Sequence, residues 1–147
     1  PNIITSLKLD RAEMEKRNIH LQKKYAEIEE NEVRFEELHC EDAEYLIVAF
    51  GSCARIAQKA MEMAREEGIK VGLLRPITLW PFPSKAIAAR AAQVKGILTV
   101  ELNAGQMVED VRLAVECKVP VEHFGRLGGI VPDPDEVITA LKEKLIK

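Results

Sequence analysis

Tyr45-Leu46-Ile47-Val48-Ala49-Phe50 is an unbroken apolar run, Cys53 to Glu67 follows with helical periodicity, Gly68 interrupts it, and Val71-Gly72-Leu73-Leu74 is apolar again. Short apolar runs around a helical period read as a β-α-β unit. A glycine just past the last helical turn is where a chain leaves the helix axis. Strands that are apolar throughout, rather than at every second residue, are those of a parallel sheet covered on both faces.

The same alternation continues toward the C-terminus. A helix around Ser84–Gln93, a strand at Ile97–Leu102, a helix at Met107–Cys117, a strand at Val121–Phe124 and a last helix from Pro134 or Asp135 to Leu145 follow in turn. Gly128-Gly129-Ile130-Val131-Pro132-Asp133-Pro134-Asp135 reads as a flexible turn and then helix-start chemistry, with proline and acids in the first turn.

Toward the N-terminus, Val33-Arg34-Phe35-Glu36 alternates as a half-exposed edge strand would, with antiparallel pairing the natural option. Before it, Asp10 to about Glu30 carries Met14, Leu21, Tyr25 and Ile28 on one narrow stripe, the pattern of an exposed amphipathic helix. Asp10 and Glu13 have capping-box spacing, worth about 1 kcal/mol. So thin a stripe does not hold an isolated helix together, so the helix must pack on something. The expected fold is α/β: a mostly parallel five-stranded sheet with helices on both faces, preceded by a long linker helix. Residues 1–44 would be linker helix and edge strand, and 45–147 the α/β domain.

Composition agrees with one core of ordinary size: 147 residues, 47% of them hydrophobic. The net charge of −3 is uneven, with 12 acids and 7 bases in residues 1–44 against 12 acids and 14 bases afterwards. No basic cluster is dense enough for nucleic acid, and no apolar run approaches the roughly 20 residues that span a bilayer. A soluble, cytoplasmic protein is expected. Cys40, Cys53 and Cys117 are far apart, with no C-x-x-C pair for zinc or an iron–sulfur cluster, and read as reduced thiols. His20, His39 and His123 have no metal-binding spacing and read as structural. The chain starts Pro1-Asn2-Ile3, without Met, and runs straight into a charged helix, as a segment of a longer protein would.

In an open parallel sheet, ligands and partners meet the carboxyl ends of the strands. Gly51-Ser52 stands between a strand and a helix, where backbone N–H groups could bind a phosphate or carboxylate; alternatively Gly51 only turns the chain and Ser52 caps the helix. Arg75 and Arg126, placed at neighbouring strand ends, could share an anion, or each could make a structural ion pair. Asn103 to Gln106 could contact another subunit or close a strand-to-helix turn. In Leu79-Trp80-Pro81-Phe82-Pro83, Trp80 and Phe82 are either a lid on the domain's own core or anchors in another subunit.

Taken together, these signals resemble the C-terminal domain of alpha subunits of 2-oxoacid:ferredoxin oxidoreductases, which is transketolase C-terminal-domain-like. The resemblance covers almost the whole chain. It rests on Glu15-Lys16-Arg17-Asn18 with His20-Leu21-Gln22, on Ala49-Phe50-Gly51-Ser52, on Gly72 through Pro83, and on Glu101-Leu102-Asn103 with Gly105-Gln106-Met107. The linker helix and the Arg75–Pro83 and Asn103–Gln106 segments are most similar to the type that oxidises 2-oxoisovalerate to isobutyryl-coenzyme A; members acting on 2-oxoglutarate or pyruvate are the alternatives. The resemblance implies a complex using thiamine diphosphate, magnesium, iron–sulfur clusters, coenzyme A and ferredoxin. It also implies that this domain binds none of the cofactors, is catalytically silent alone, and serves assembly with the other subunits and with the N-terminal part of the alpha subunit.

Three other readings share the fold. A flavodoxin-like carrier needs more Ser, Thr and Gly after the first strand than Gly51-Ser52 supplies. A phospho-receiver needs an acid where Ala49 and Phe50 stand. A plain interaction domain fits the physics and lacks only the motifs.

Overall fold

The computed structural model describes residues 7–146, so the opening Pro1-Asn2-Ile3 lies outside them. The elements run α1 (Arg11–Asn31), β1 (Phe35–Leu38), β2 (Tyr45–Ala49), α2 (Gly51–Glu66), β3 (Val71–Pro76), α3 (Ser84–Ala91), β4 (Ile97–Glu101), α4 (Met107–Val115), β5 (Val121–Gly125) and α5 (Pro134–Leu145). The sheet order is β1-β3-β2-β4-β5; β1 is antiparallel to β3 and every other pair is parallel. The expected architecture is the observed one.

Two apolar cores explain the lack of alternation in the central strands. Ile47, Ala49, Leu73, Leu98 and Val100 face α2 and α5, packing on Ala54, Ala57, Met61, Val137 and Leu141. Leu46, Val48, Leu74 and Ile97 face α3 and α4, packing on Ile87, Ala91, Met107, Val111 and Val115. Residues of both parities are therefore buried, each large side chain contributing about 1.5–3 kcal/mol of transfer free energy.

The edge strand is fastened by charge as well as by its ladder. Arg90 on α3 donates to both oxygens of Glu37 on β1, at 2.8 and 2.7 Å, with both side chains about four-fifths shielded. That guanidinium holds the Glu37 carboxyl below the ordinary carboxylate range, and the Arg90 value rises in turn.

Helix α1 stands apart. Asp10 caps it, accepting from the Glu13 backbone N–H at 2.9 Å, but none of its 21 residues is buried. Its ring contact with the body is Tyr25, edge-on against Trp80 at 5.6 Å between centroids. At the other end Asp133 and Glu136 form a full capping box over α5, with Pro134 in the first turn.

Candidate functional site at the carboxyl edge of the sheet

The connection from β2 runs one way, to β3, and that from β4 the other way, to β5, so the crevice between β2 and β4 is the switch point where such sheets bind ligands. The turns facing it are Phe50–Ser52 and Leu102–Gln106.

Gly51 does turn the chain, at φ +56°, a conformation that disfavours any other residue. Ser52 is not the helix cap: the cap is Phe50, no side chain bonds the free N–H groups there, and Ser52 already lies exposed in the first turn of α2. An open cleft of about 520 Å³ adjoins this turn, lined by Phe50, Gly51, Ser52, Arg55, Arg75, Pro76, Ile77 and Leu79.

Arg75 and Arg126 do not share an anion. Their strands are not neighbours, because β2 and β4 lie between them. Arg75 pairs with Glu36 across the β1–β3 ladder at 3.0 Å, and Arg126 with Glu136 at 3.5 Å, leaving the Arg126 Nε buried without a partner. The structural ion pair is the arrangement found at both.

The turn after β4 is organised by Glu101, which is not among the strand-end candidates expected from sequence. Glu101, the last residue of β4, is 1% exposed. Its Oε2 accepts from the backbone N–H of Met107 (2.8 Å) and Gln106 (3.2 Å) and from Asn103 Nδ2 (3.1 Å), and its Oε1 accepts from the Val108 N–H (3.0 Å). A carboxylate placed there supplies the N-terminus of α4 with the acceptor its own cap residue, Gln106, does not provide. Asn103 is engaged on both sides, since its Oδ1 also accepts from the Gly105 N–H at 2.7 Å. His123 braces the turn from β5, with Nε2 3.3 Å from the Asn103 carbonyl oxygen and Nδ1 3.2 Å from Thr99 Oγ1 and 3.5 Å from Glu101 Oε1. Gln106 keeps an exposed side chain.

This packing fixes Gly125, where a Cβ would stand 2.2 Å from the Asn103 carbonyl oxygen. The Glu101 charge also reaches Cys53, whose thiol is pushed up first by burial and then by that charge. A charge closing an otherwise apolar strand, Ile97-Leu98-Thr99-Val100-Glu101, was the signal that could have found it, since a buried carboxylate demands donors.

The Leu79–Pro83 segment divides. Phe82 packs on the α3/α4 core of this domain, as a lid would, whereas Trp80 remains 54% exposed. Thr78 staples the segment, its Oγ1 accepting from the Arg34 N–H at 3.0 Å and donating to the Pro81 carbonyl at 2.9 Å.

Residues 43–137 match the family described as pyruvate:ferredoxin oxidoreductase core domain II. The chain belongs to that family. As a core domain II it is 49% identical over 142 residues to ketoisovalerate oxidoreductase subunit VorB of Methanothermobacter thermautotrophicus and 46% identical to VorB of Methanothermobacter marburgensis. Each match covers 97% of this chain and 40% of the relative. A 2-oxoglutarate synthase subunit KorA of M. thermautotrophicus is 35% identical over 69% of this chain, covering 27% of that relative. Among solved structures, 2-oxoglutarate:ferredoxin oxidoreductase from Magnetococcus marinus, with 2-oxoglutarate, coenzyme A and succinyl-CoA bound, superposes with a TM-score of 0.78 at 25% identity, covering 92% of this chain and 24% of that one. The matched core domain II holds β2 through β5, the cleft and the Glu101 turn; α1 and β1 lie outside it.

Proposed function

We propose that this chain is the non-catalytic core domain II of the alpha subunit of a thiamine-diphosphate-dependent 2-oxoisovalerate:ferredoxin oxidoreductase, and that its work is assembly. The identity to the two VorB subunits, 46–49% across 97% of the chain, carries the reading. The likeness to KorA is lower and covers less of the chain, which favours the branched 2-oxoacid over 2-oxoglutarate.

The chemistry of the strand ends supports a scaffold. The one buried carboxylate among the described residues, Glu101, accepts four hydrogen bonds from the protein itself, so it is not disposed toward a substrate. Among the described residues no group of three or more His, Cys, Asp and Glu side chains could hold a metal, and Cys40 and Cys53 are buried while Cys117 is exposed. These residues do not fit thiamine diphosphate with its magnesium or an iron–sulfur cluster, which in this reading belong to the rest of the complex. Gly51, Ser52, Arg75, Asn103, Gln106 and Arg126, with Trp80, form the edge through which the domain meets its neighbours; Phe82 supports that edge from beneath. Residues 1–44 act as linker helix and edge strand and 45–147 as the transketolase C-terminal-like domain. No helix among the described residues is long and apolar enough to cross a membrane; a cytoplasmic complex with ferredoxin and coenzyme A as reactants is the setting proposed.

The test is recovery of the complex containing this chain, followed by coenzyme A-dependent reduction of a viologen dye with 2-oxoisovalerate, 2-oxoglutarate and pyruvate. Thiamine-dependent turnover fastest with 2-oxoisovalerate is the expected result. A preference for either other acid reassigns the subtype, and a complex without thiamine-dependent turnover overturns the reading.

A further inference from the structure

The two edges of the sheet differ in chemistry. At the amino edge, charged loops are stitched to each other: Arg65 holds Asp42 at 2.7 Å, and Lys95 pairs with Glu44. At the carboxyl edge, large apolar side chains stand in solvent: Ile77, Leu79 and Trp80 after β3, Leu102 after β4, and Leu127, Ile130 and Val131 after β5, each 45–59% exposed. More than half of the exposed large apolar residues of the described chain thus lie in the loops of one edge, the distribution of a protein interface rather than of scattered surface.

Against the β3 loop lies the cleft of about 520 Å³, with Arg55 and Arg75 on its wall beside Ile77 and Leu79. Arg75 already has Glu36 at 3.0 Å. Arg55 is exposed and has no ion-pair partner among the described residues, and the first turn of α2 contains no acid. The cleft therefore holds one positive charge without an ion-pair partner, beside the exposed Ile77 and Leu79. Aromatic and arginine side chains grouped in this way carry binding energy at protein interfaces. A free phosphate would satisfy the charge and leave the apolar side chains wet; a protein surface with an acidic side chain among apolar ones satisfies both.

Deepening the assembly reading, on which it rests, we propose that this edge docks the remaining polypeptide of the same subunit, which inserts a carboxylate beside Arg55. The occupant is argued from length and charge: in the VorB relatives the matched region is 40% of one chain, so the same polypeptide supplies a larger neighbour, and the cleft lacks one negative charge.

The experiment uses the purified complex containing this chain, and the 147-residue chain alone as reference. Hydroxyl-radical footprinting reads Leu79 and Trp80 in both; a protection of fivefold or more in the complex is expected. Carbodiimide-free photo-crosslinking from position 79 should reach the same subunit outside this domain. Arg55→Glu should lower the salt concentration at which the complex loosens, and charge reversal of the cross-linked acid should restore it, while Arg112→Glu on the outer face of α4 should change nothing. Arg55→Ala, read the same way, guards against a folding defect in the first variant. Equal oxidation of Trp80 in complex and free chain overturns the docking, as does cross-linking to a different subunit. So does loss of inorganic phosphate or coenzyme A binding in Arg55→Glu with assembly intact, which would make the cleft an anion pocket. Turnover is read separately: a protected edge in a complex without thiamine-dependent turnover on any of the three acids rejects the enzymatic reading and leaves the docking standing.

Discussion

Replacing Glu101 by glutamine keeps the side chain's shape and removes its charge, and the outcome turns on two opposed quantities. Burying a carboxylate costs several kcal/mol before compensation, so its neutral isostere could stabilise the fold. Against that, Glu101 accepts four hydrogen bonds, three at Oε2 and one at Oε1, and three of the donors are backbone N–H groups at 2.8–3.2 Å. A glutamine amide must turn its NH₂ toward one set. The least damaging orientation faces Val108, orphaning one buried N–H at about 1–3 kcal/mol. Loss of the charge at the N-terminus of α4 adds up to about 2 kcal/mol in a buried setting. A net destabilisation of about 2–4 kcal/mol follows, because the native donors have already offset the burial cost. Urea unfolding of the 147-residue chain measures it, and amide hydrogen exchange locates it: Met107 and Val108 should lose protection before the rest of α4. Unchanged or increased stability with Val108 still protected would refute the reasoning.

Further tests follow from other contacts. Burial raises the Cys40 thiol to about 11 and raises Cys53 as well, so an aromatic disulfide reagent at pH 7.5 should titrate Cys117 quickly and the other two only on unfolding; three fast thiols would contradict the packing. Glu37 is held below its ordinary value, so the stability it lends is complete above about pH 4.3 and fades as pH falls through the lower folded value. The urea midpoint of Glu37→Gln should accordingly lie below wild type at pH 7 and converge on it as the pH falls through the lowered folded value. Gly125→Ala would place a methyl 2.2 Å from a backbone oxygen, and thermal unfolding should show a loss of about 3 kcal/mol or more. Thr78→Val removes the staple between Arg34 and Pro81; a loss of about 1 kcal/mol and faster exchange at the Arg34 amide are expected, and unchanged exchange there would count against it.

The parallel sheet was legible because burial of both faces leaves a signature that no other element imitates at that length: Leu46, Ile47, Val48 and Ala49 are all fully buried. Boundaries were less legible where the stop or start has no sequence mark. Helix α4 ends at Val115, short of the expected Cys117, because Glu116 and Cys117 take left-handed conformations without a glycine to announce them. Strand β1 begins at Phe35, not Val33, because the Arg34 carbonyl accepts from Ile77 and Thr78 beyond the strand it pairs with. At the strand ends, which arginines meet depends on strand order, and the order put two strands between Arg75 and Arg126. Arg55 escaped notice because it lies one turn inside a helix and joins the cleft only once α2 is packed beside β3.

The carboxyl edge combines apolar exposure with order, and the combination has a physical reason. Ordering a loop on association costs about 0.5–1.5 kcal/mol for each immobilised side chain, which weakens any interface built on mobile loops. Here the loops are fastened within the domain itself: Thr78 ties the segment bearing Ile77 and Leu79 to Arg34, Glu101 ties the turn bearing Leu102 to α4, and the Asp133–Glu136 box ends the loop bearing Leu127 and Ile130. Glu101 is turned inward and buried, whereas Thr78 and the Asp133–Glu136 box fasten their loops at the surface. In the proposed docking, the buried carboxylate, the hydroxyl bridging two loops and the capping box would share one consequence: a surface ordered in advance, which loses little entropy on meeting its partner.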